Sequence, residues 1–129
     1  MVIQMMVLDT SFLISLFLPE DENHSKALEI FEKRSNEEML LIDTILFETL
    51  SVLNRRHGVE AAKAAYEKLI ANTKLQIHYL TDVQRKEVLE NFLSQKGRLS
   101  TADMSVVHAC KTALAPPLAF DKELLKQIG

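Results

Sequence analysis

Four acidic residues of this chain occupy positions where carboxylates could do chemistry. Asp9 and Asp121 each follow a short apolar run, and Glu48 and Asp103 lie on two predicted helices. Carboxylates that share one crevice repel each other, which raises their pKa values unless cations intervene. Their hard oxygen ligands select Mg²⁺ or Mn²⁺, and such ions can activate water and stabilise a leaving phosphate oxygen. If the four acids converge, the sequence predicts metal-assisted hydrolysis of a phosphate ester.

Three of these acids have a structural alternative in helix capping. An acid between a strand and a helix, as Asp9 and Asp121 are, is commonly an N-cap. Ser100 and Asp103 have the spacing of a capping box, and the helix dipole also favours an acid there. Taken singly, each of these acids is better interpreted as a cap than as a catalytic group.

Glu48 is the acid that capping does not explain. It lies inside a helix predicted over residues 45–56, which Asp43 and Thr44 are expected to cap. The apolar residues of this helix surround nearly the whole of it. We therefore expect Glu48 on a buried wall, where its charge must be neutralised, ion-paired or bound to a metal. A salt bridge to a lysine or arginine of another helix is the open alternative.

A predicted α/β arrangement would bring the acids together. The apolar run at residues 5–8 does not alternate with polar residues, as is typical of a central strand covered on both faces, and it places Asp9 at the ligand-binding edge of the sheet. Strands that alternate with helices favour a parallel sheet. The predicted strands are 5–8, 39–42, 76–80 and 118–120, and the predicted helices are 11–17, 26–34, 45–56, 60–71, 83–95, 100–114 and 122–127.

The composition predicts one globular domain over residues 1–129, because 47% of the residues are hydrophobic and 26% are charged. The single cysteine cannot form an internal disulfide, and we find neither a membrane-spanning run nor a secretory signal, so we expect a cytoplasmic protein. The formal net charge of −3 argues against a nonspecific polyanion binder. Two bound divalent cations would change this charge to +1, so a nucleic-acid substrate stays possible.

Four short segments resemble the acidic motifs of PIN-domain ribonucleases, in the right order across almost the whole chain. These segments are VLDTS at 7–11, Glu48 within its helix, LSTAD at 99–103 and AFDK at 119–122. Small single-domain toxins of VapC type are particularly similar, since the loop at residues 20–24 followed by Ala27 is also typical of them.

The resemblance implies a three-layer α/β/α sandwich around a mostly parallel sheet of four to five strands. It further implies an Mg²⁺- or Mn²⁺-dependent endoribonuclease, a homodimer and an antitoxin partner. By motif match, the metal-binding and catalytic carboxylates are Asp9, Glu48, Asp103 and Asp121. Thr10 or Ser11 would position a water or a phosphate, and Lys122 adjoins the same crevice and could contact an RNA backbone.

The chain departs from the family pattern in two places, and these keep other functions open. Ala119 stands where the family commonly has Thr or Ser, and the chain stops at Gly129, where many relatives continue into another edge strand. A noncatalytic module that binds a partner or RNA is therefore one alternative, and a housekeeping RNA-processing nuclease is another. Phosphoryl transfer through Asp9 ranks last, because Ser11 stands where that chemistry needs a second acid.

Overall fold

The computed structural model describes residues 5–128 of the chain. Helices flank a parallel sheet in the α/β/α arrangement that the resemblance implies. The elements of this part of the chain are β1 (Met5–Leu8), α1 (Thr10–Phe17), α2 (His24–Lys33), β2 (Glu38–Ile42), α3 (Asp43–His57), α4 (Val59–Ala71), β3 (Leu75–His78), α5 (Asp82–Ser94), α6 (Thr101–Ala113), β4 (Pro117–Leu118) and α7 (Lys122–Ile128).

The sheet has the strand order β3-β2-β1-β4, and every neighbouring pair is parallel. In β1, Met6, Val7 and Leu8 are all buried, as expected for a central strand covered on both faces. Strand β1 pairs with β2 on one side and β4 on the other, with Val7 opposite both Leu40 and Pro117. The residue that follows β1, Asp9, therefore lies at the middle of the carboxyl edge.

Local sequence signals set most helix ends. Thr81 and Ser100 are the N-caps of α5 and α6, and each forms a complete capping box with the residue three positions later. Gly58 ends α3 with a φ of 91°, a conformation that glycine adopts without the steric cost of a Cβ. Among the described residues, no helix is long and apolar enough to cross a bilayer.

Two predicted strands are longer than the observed ones. Strand β3 ends at His78 rather than at residue 80, and β4 is reduced to Pro117–Leu118 although residues 118–120 were predicted. Over residues 5–128, strand β4 pairs with β1 alone, and this ladder ends at the Leu8–Leu118 pair, before Phe120. Phe120 instead packs its ring against Phe12, with ring centroids 5.8 Å apart.

Asp43 has a different role from the predicted helix cap. The N-cap of α3 is Ile42, and Asp43 is the first helical residue, although its Oδ1 does accept a hydrogen bond from the Thr44 N–H at 2.9 Å. The Asp43 side chain is 1% exposed, and its Oδ2 accepts a 2.6 Å hydrogen bond from the Arg85 guanidinium. This ion pair joins the end of β2 to α5.

We predict that Arg85→Met lowers the free energy of unfolding by about 2 kcal/mol, because it leaves the Asp43 carboxylate buried without a counterion. The loss should be smaller than for a fully buried pair, because the Arg85 side chain is 53% exposed. Urea unfolding measures this change. The control Lys33→Met breaks the exposed Lys33–Glu29 pair and should lower the free energy of unfolding by less than Arg85→Met does. Equal losses in the two variants would contradict the assignment.

Candidate functional site

Asp9 is the N-cap of α1 and is only 2% exposed. Its Oδ2 accepts hydrogen bonds from the Ser11 N–H at 3.1 Å and from the Ser11 hydroxyl at 2.7 Å. Its Oδ1 is buried and has no hydrogen-bond partner in the described part of the protein. Asp9 therefore has one oxygen held in place by the chain and one oxygen without a ligand.

The electrostatic surroundings of Asp9 disfavour its charged form. Burial raises the pKa of Asp9, the hydrogen bonds from Ser11 oppose that effect, and the negative charge of Asp103 raises the pKa further.

The buried thiol of Cys110 is affected by the same carboxylate. Burial and the charge of Asp9 together raise the pKa of this thiol to about 12, so the cysteine stays a neutral, inert part of the core.

Glu48 shares this negative field, but the expectation that it lies on a buried wall is wrong. Its side chain is exposed, as is that of its neighbour Phe47. Partial desolvation raises the pKa of Glu48, the charges of Asp103 and then Asp9 raise it further, and Arg55 opposes them. The structure thus brings Glu48 near both aspartates.

Asp103 joins the same group from the first turn of α6. It is half-buried, and its Oδ2 accepts a 3.0 Å hydrogen bond from the Ser100 N–H, which completes the predicted capping box. It is the one residue whose charge raises the pKa of both Asp9 and Glu48. The structure therefore brings Asp9, Glu48 and Asp103 together as an acidic cluster, the name used below for these three residues.

Asp121 lies at the same edge of the sheet but is engaged with its own helix. Its Oδ1 accepts hydrogen bonds from the backbone N–H groups of Glu123 at 2.9 Å and Leu124 at 3.2 Å, and so caps α7. The preceding residue, Phe120, donates its N–H to the Ser11 hydroxyl at 2.9 Å, and Ser11 in turn donates to Asp9. The Phe120 backbone and the Ser11 hydroxyl thus connect Asp121 to Asp9 of the acidic cluster. The charge of Asp121 is not one of those that raise the pKa of Asp9 or Glu48.

Capping and ligand binding are compatible roles for the three aspartates. Each one gives a single carboxylate oxygen to backbone N–H groups at the start of a helix: Oδ2 of Asp9, Oδ2 of Asp103 and Oδ1 of Asp121. Within residues 5–128, no hydrogen bond is made by the second oxygen of any of them. A cap therefore orients each carboxylate and leaves one oxygen for another ligand.

The acidic cluster is better suited to a cation that keeps several of its waters than to one enclosed by protein ligands alone. In the described ranges, no three His, Cys, Asp or Glu side chains lie close enough to enclose a metal ion together. Mg²⁺ commonly keeps several waters and binds proteins through one or two carboxylates. The unpartnered Asp9 Oδ1, in a carboxylate whose pKa the charge of Asp103 raises, is the kind of atom that such an ion would satisfy.

The hydroxyl and lysine candidates differ in their surroundings. Ser11 links Asp9 to Phe120, whereas the Thr10 hydroxyl is buried without a hydrogen-bond partner in the described residues. Lys122, the first residue of α7, is exposed beside Asp121. Ser11 is therefore a support for Asp9, and Thr10 and Lys122 remain the groups whose contacts the fold leaves open.

The sequence analysis missed a pair of hydroxyls beside the acidic cluster. Thr44 Oγ1 and Ser105 Oγ are 2.7 Å apart and join α3 to α6. Thr44 was interpreted only as a cap, and Ser105 was not singled out. Small hydroxyl residues within about one helical turn of two acids were the available signal, but their partnership depends on tertiary packing.

Comparisons with known proteins agree with this architecture. The structure of VapC20 from Mycobacterium tuberculosis, described as a Sarcin-Ricin loop cleaving toxin, matches with a TM-score of 0.84 and 23% identity over 92% of each chain. PAE2754 from Pyrobaculum aerophilum matches with a TM-score of 0.67 and 16% identity, over 97% of this chain and 84% of that chain. VapBC2 from Rickettsia felis, bound to a DNA fragment from their promoter, matches with a TM-score of 0.66 and 12% identity, over 95% of this chain and 92% of that chain.

At these identities the structural matches show a shared fold. A comparison with curated protein sequences returns no match. The family model for the PIN domain, however, matches residues 6–129, which is nearly the whole length of the sequence. The chain therefore belongs to the PIN domain family.

Proposed function

We propose that this protein is an Mg²⁺- or Mn²⁺-dependent endoribonuclease that hydrolyses single-stranded RNA, and that it is the toxin of a toxin–antitoxin pair. The observation that carries the proposal is the acidic cluster, in which the charge of Asp103 raises the pKa of Asp9, and the charges of Asp103 and Asp9 raise the pKa of Glu48. Three acids in one field, with a buried oxygen lacking a partner, are a costly arrangement unless cations bind there.

Asp9, Glu48, Asp103 and Asp121 would hold the metal together, one or two of them binding it directly and the others through its bound waters. A bound divalent ion would supply water activation and charge neutralisation at the phosphate. Such a reaction would leave products with 5′-phosphate and 3′-hydroxyl ends.

The remaining parts of the site orient these carboxylates. Ser11 holds Asp9 Oδ2 with two hydrogen bonds and is itself held by the Phe120 N–H, so the ends of β1 and β4 are fixed to each other. The capping box holds Asp103 in the first turn of α6. Thr10 would position a water or a phosphate oxygen through its unpartnered hydroxyl, and Lys122 would contact an RNA phosphate.

Two observations support the partners in this proposal. Among solved structures of similar fold, one is described as a Sarcin-Ricin loop cleaving toxin and another as VapBC2 bound to a DNA fragment from their promoter. This chain also has a groove of about 430 Å³ between α1, α3 and α4, with Phe17, Leu18 and Leu53 in its lining. Exposed apolar side chains on α3 and α4, including Phe47 and Ile70, give an antitoxin or a second copy in a homodimer further apolar surface to bury.

We predict that Asp9→Asn lowers kcat/KM for a single-stranded RNA in Mn²⁺ by at least about 100-fold, because the amide removes a charged metal ligand. Addition of a chelator should abolish cleavage by the wild type. The matched control is Asp82→Asn, which changes an exposed first-turn acid of α5 outside the acidic cluster and should cleave like the wild type. The measurement is RNA cleavage resolved by denaturing electrophoresis.

Equal cleavage by the wild type and Asp9→Asn would contradict the proposed nuclease. Isothermal calorimetry gives an independent result, since the wild type should bind Mn²⁺ and Asp9→Asn should not. If the wild type binds no Mn²⁺ at millimolar concentration, the noncatalytic PIN-fold module becomes the better account.

The raised pKa values predict how metal binding depends on pH. Only deprotonated carboxylates bind Mn²⁺, and Asp9 and Glu48 take up protons at a higher pH than ordinary carboxyl groups. The Mn²⁺ affinity should therefore decrease as the pH falls, and the loss should begin closer to neutrality than the usual carboxyl range of about 4. Calorimetric titration with Mn²⁺ across this range measures the effect. An affinity that stays constant until that usual range is reached would contradict it.

A further inference from the structure

The hydroxyls of Thr44 and Ser105 form one directed chain of hydrogen bonds between two helices. Ser105 is fully buried, and its hydroxyl donates to the Ala102 carbonyl at 2.5 Å. Its oxygen is then the acceptor for the Thr44 hydroxyl, 2.7 Å away. Because these residues are 61 positions apart in sequence, the contact fixes α3 against α6 rather than stabilising either helix locally.

This contact lies beside two members of the acidic cluster. Thr44 and Glu48 are four residues apart on α3, so they share a helix face one turn apart. On α6, Asp103 lies between Ala102 and Ser105, and therefore within the turn that the Ser105 hydroxyl closes. Glu48 and Asp103 are thus carried by the two helical turns that the hydroxyl contact joins.

We propose that the Thr44–Ser105 pair is a positioning pair that sets the separation between the Glu48 and Asp103 carboxylates, and so the affinity of the acidic cluster for a divalent ion. The inference rests on the proposed function for its metal. The Glu48 and Asp103 carboxylates repel each other, and this repulsion favours a larger distance between α3 and α6. Apolar packing is not directional, so it does not by itself fix the position of one helix against the other. A buried hydrogen bond is directional and supplies that restraint.

Removal of either hydroxyl should leave the fold intact. In Thr44→Val, Ser105 keeps its bond to Ala102, so no buried donor loses its partner. In Ser105→Ala, the Thr44 hydroxyl is only half-buried and can reach water. Thr44→Ser keeps the hydroxyl and serves as the conservative rescue.

Thr49→Val is the matched control on the same helix. Thr49 follows Glu48 directly and is buried, but its hydroxyl has no hydrogen-bond partner in the described residues. This variant therefore makes the same chemical change near the same acid without touching the contact between α3 and α6.

The test measures Mn²⁺ binding by calorimetry and the Glu48–Asp103 carboxylate separation in crystal structures of the metal-free protein. We expect Thr44→Val and Ser105→Ala to weaken Mn²⁺ binding by about 10-fold, the low end of the effect of residues that support metal ligands. The carboxylate separation should increase in both variants. Thr44→Ser and Thr49→Val should match the wild type in both measurements.

An unchanged carboxylate separation in folded Thr44→Val and Ser105→Ala would overturn the positioning role. Weakened binding in Thr49→Val to the same extent would also overturn it, because the effect would then come from general loosening of α3. A wild type that binds no Mn²⁺ would defeat the proposed function, whereas the separation in the metal-free crystals would still decide whether this pair positions the two acids.

Discussion

Mutual repulsion among Asp9, Glu48 and Asp103 is the constraint on which the rest of this structure depends. The sheet order puts β1 in the middle, so Asp9 emerges at the centre of the carboxyl edge. Helix α3 brings Glu48 to this point and α6 brings Asp103, and the negative field raises the pKa of both Asp9 and Glu48. A protein gains nothing in stability by collecting like charges, and clusters of acids with raised pKa values are typical of functional sites.

The chain holds these acids with elements that also build the fold. Asp9, Asp103 and Asp121 each accept a backbone hydrogen bond at the start of a helix through one carboxylate oxygen. This contact lowers the free-energy cost of placing a negative charge there. Asp43 is the other buried acid at this edge, and the Arg85 guanidinium neutralises its charge. The charge of Asp43 is not one of those that raise the pKa of Asp9. Asp43 therefore acts as part of the scaffold, and the acidic cluster is where we propose that a cation binds.

Much of the architecture could be predicted from local sequence patterns. The apolar run of β1, the capping residues Thr81 and Ser100, and the stop at Gly58 are all decided within a few neighbouring residues. Long-range packing decided what the sequence analysis got wrong. The exposure of Glu48, the short β4 and the Asp43–Arg85 pair each depend on how distant segments meet. The convergence of Asp9, Glu48 and Asp103 was predicted because Asp9 follows a strand and the helices that carry the other two begin at the same edge of a parallel sheet.

The most direct test of the central claim is a double-mutant cycle of unfolding free energies in the metal-free protein, with Asp9→Asn, Glu48→Gln and the double variant. Neutralising Asp9 should stabilise the protein at neutral pH, because its pKa is raised in the folded state, and the gain should vanish in acid, where the wild type is itself protonated. The account predicts that the double variant gains less than the two single variants together, since either change already relieves their shared repulsion. Fully additive effects, or a loss of stability in Asp9→Asn at neutral pH, would contradict it.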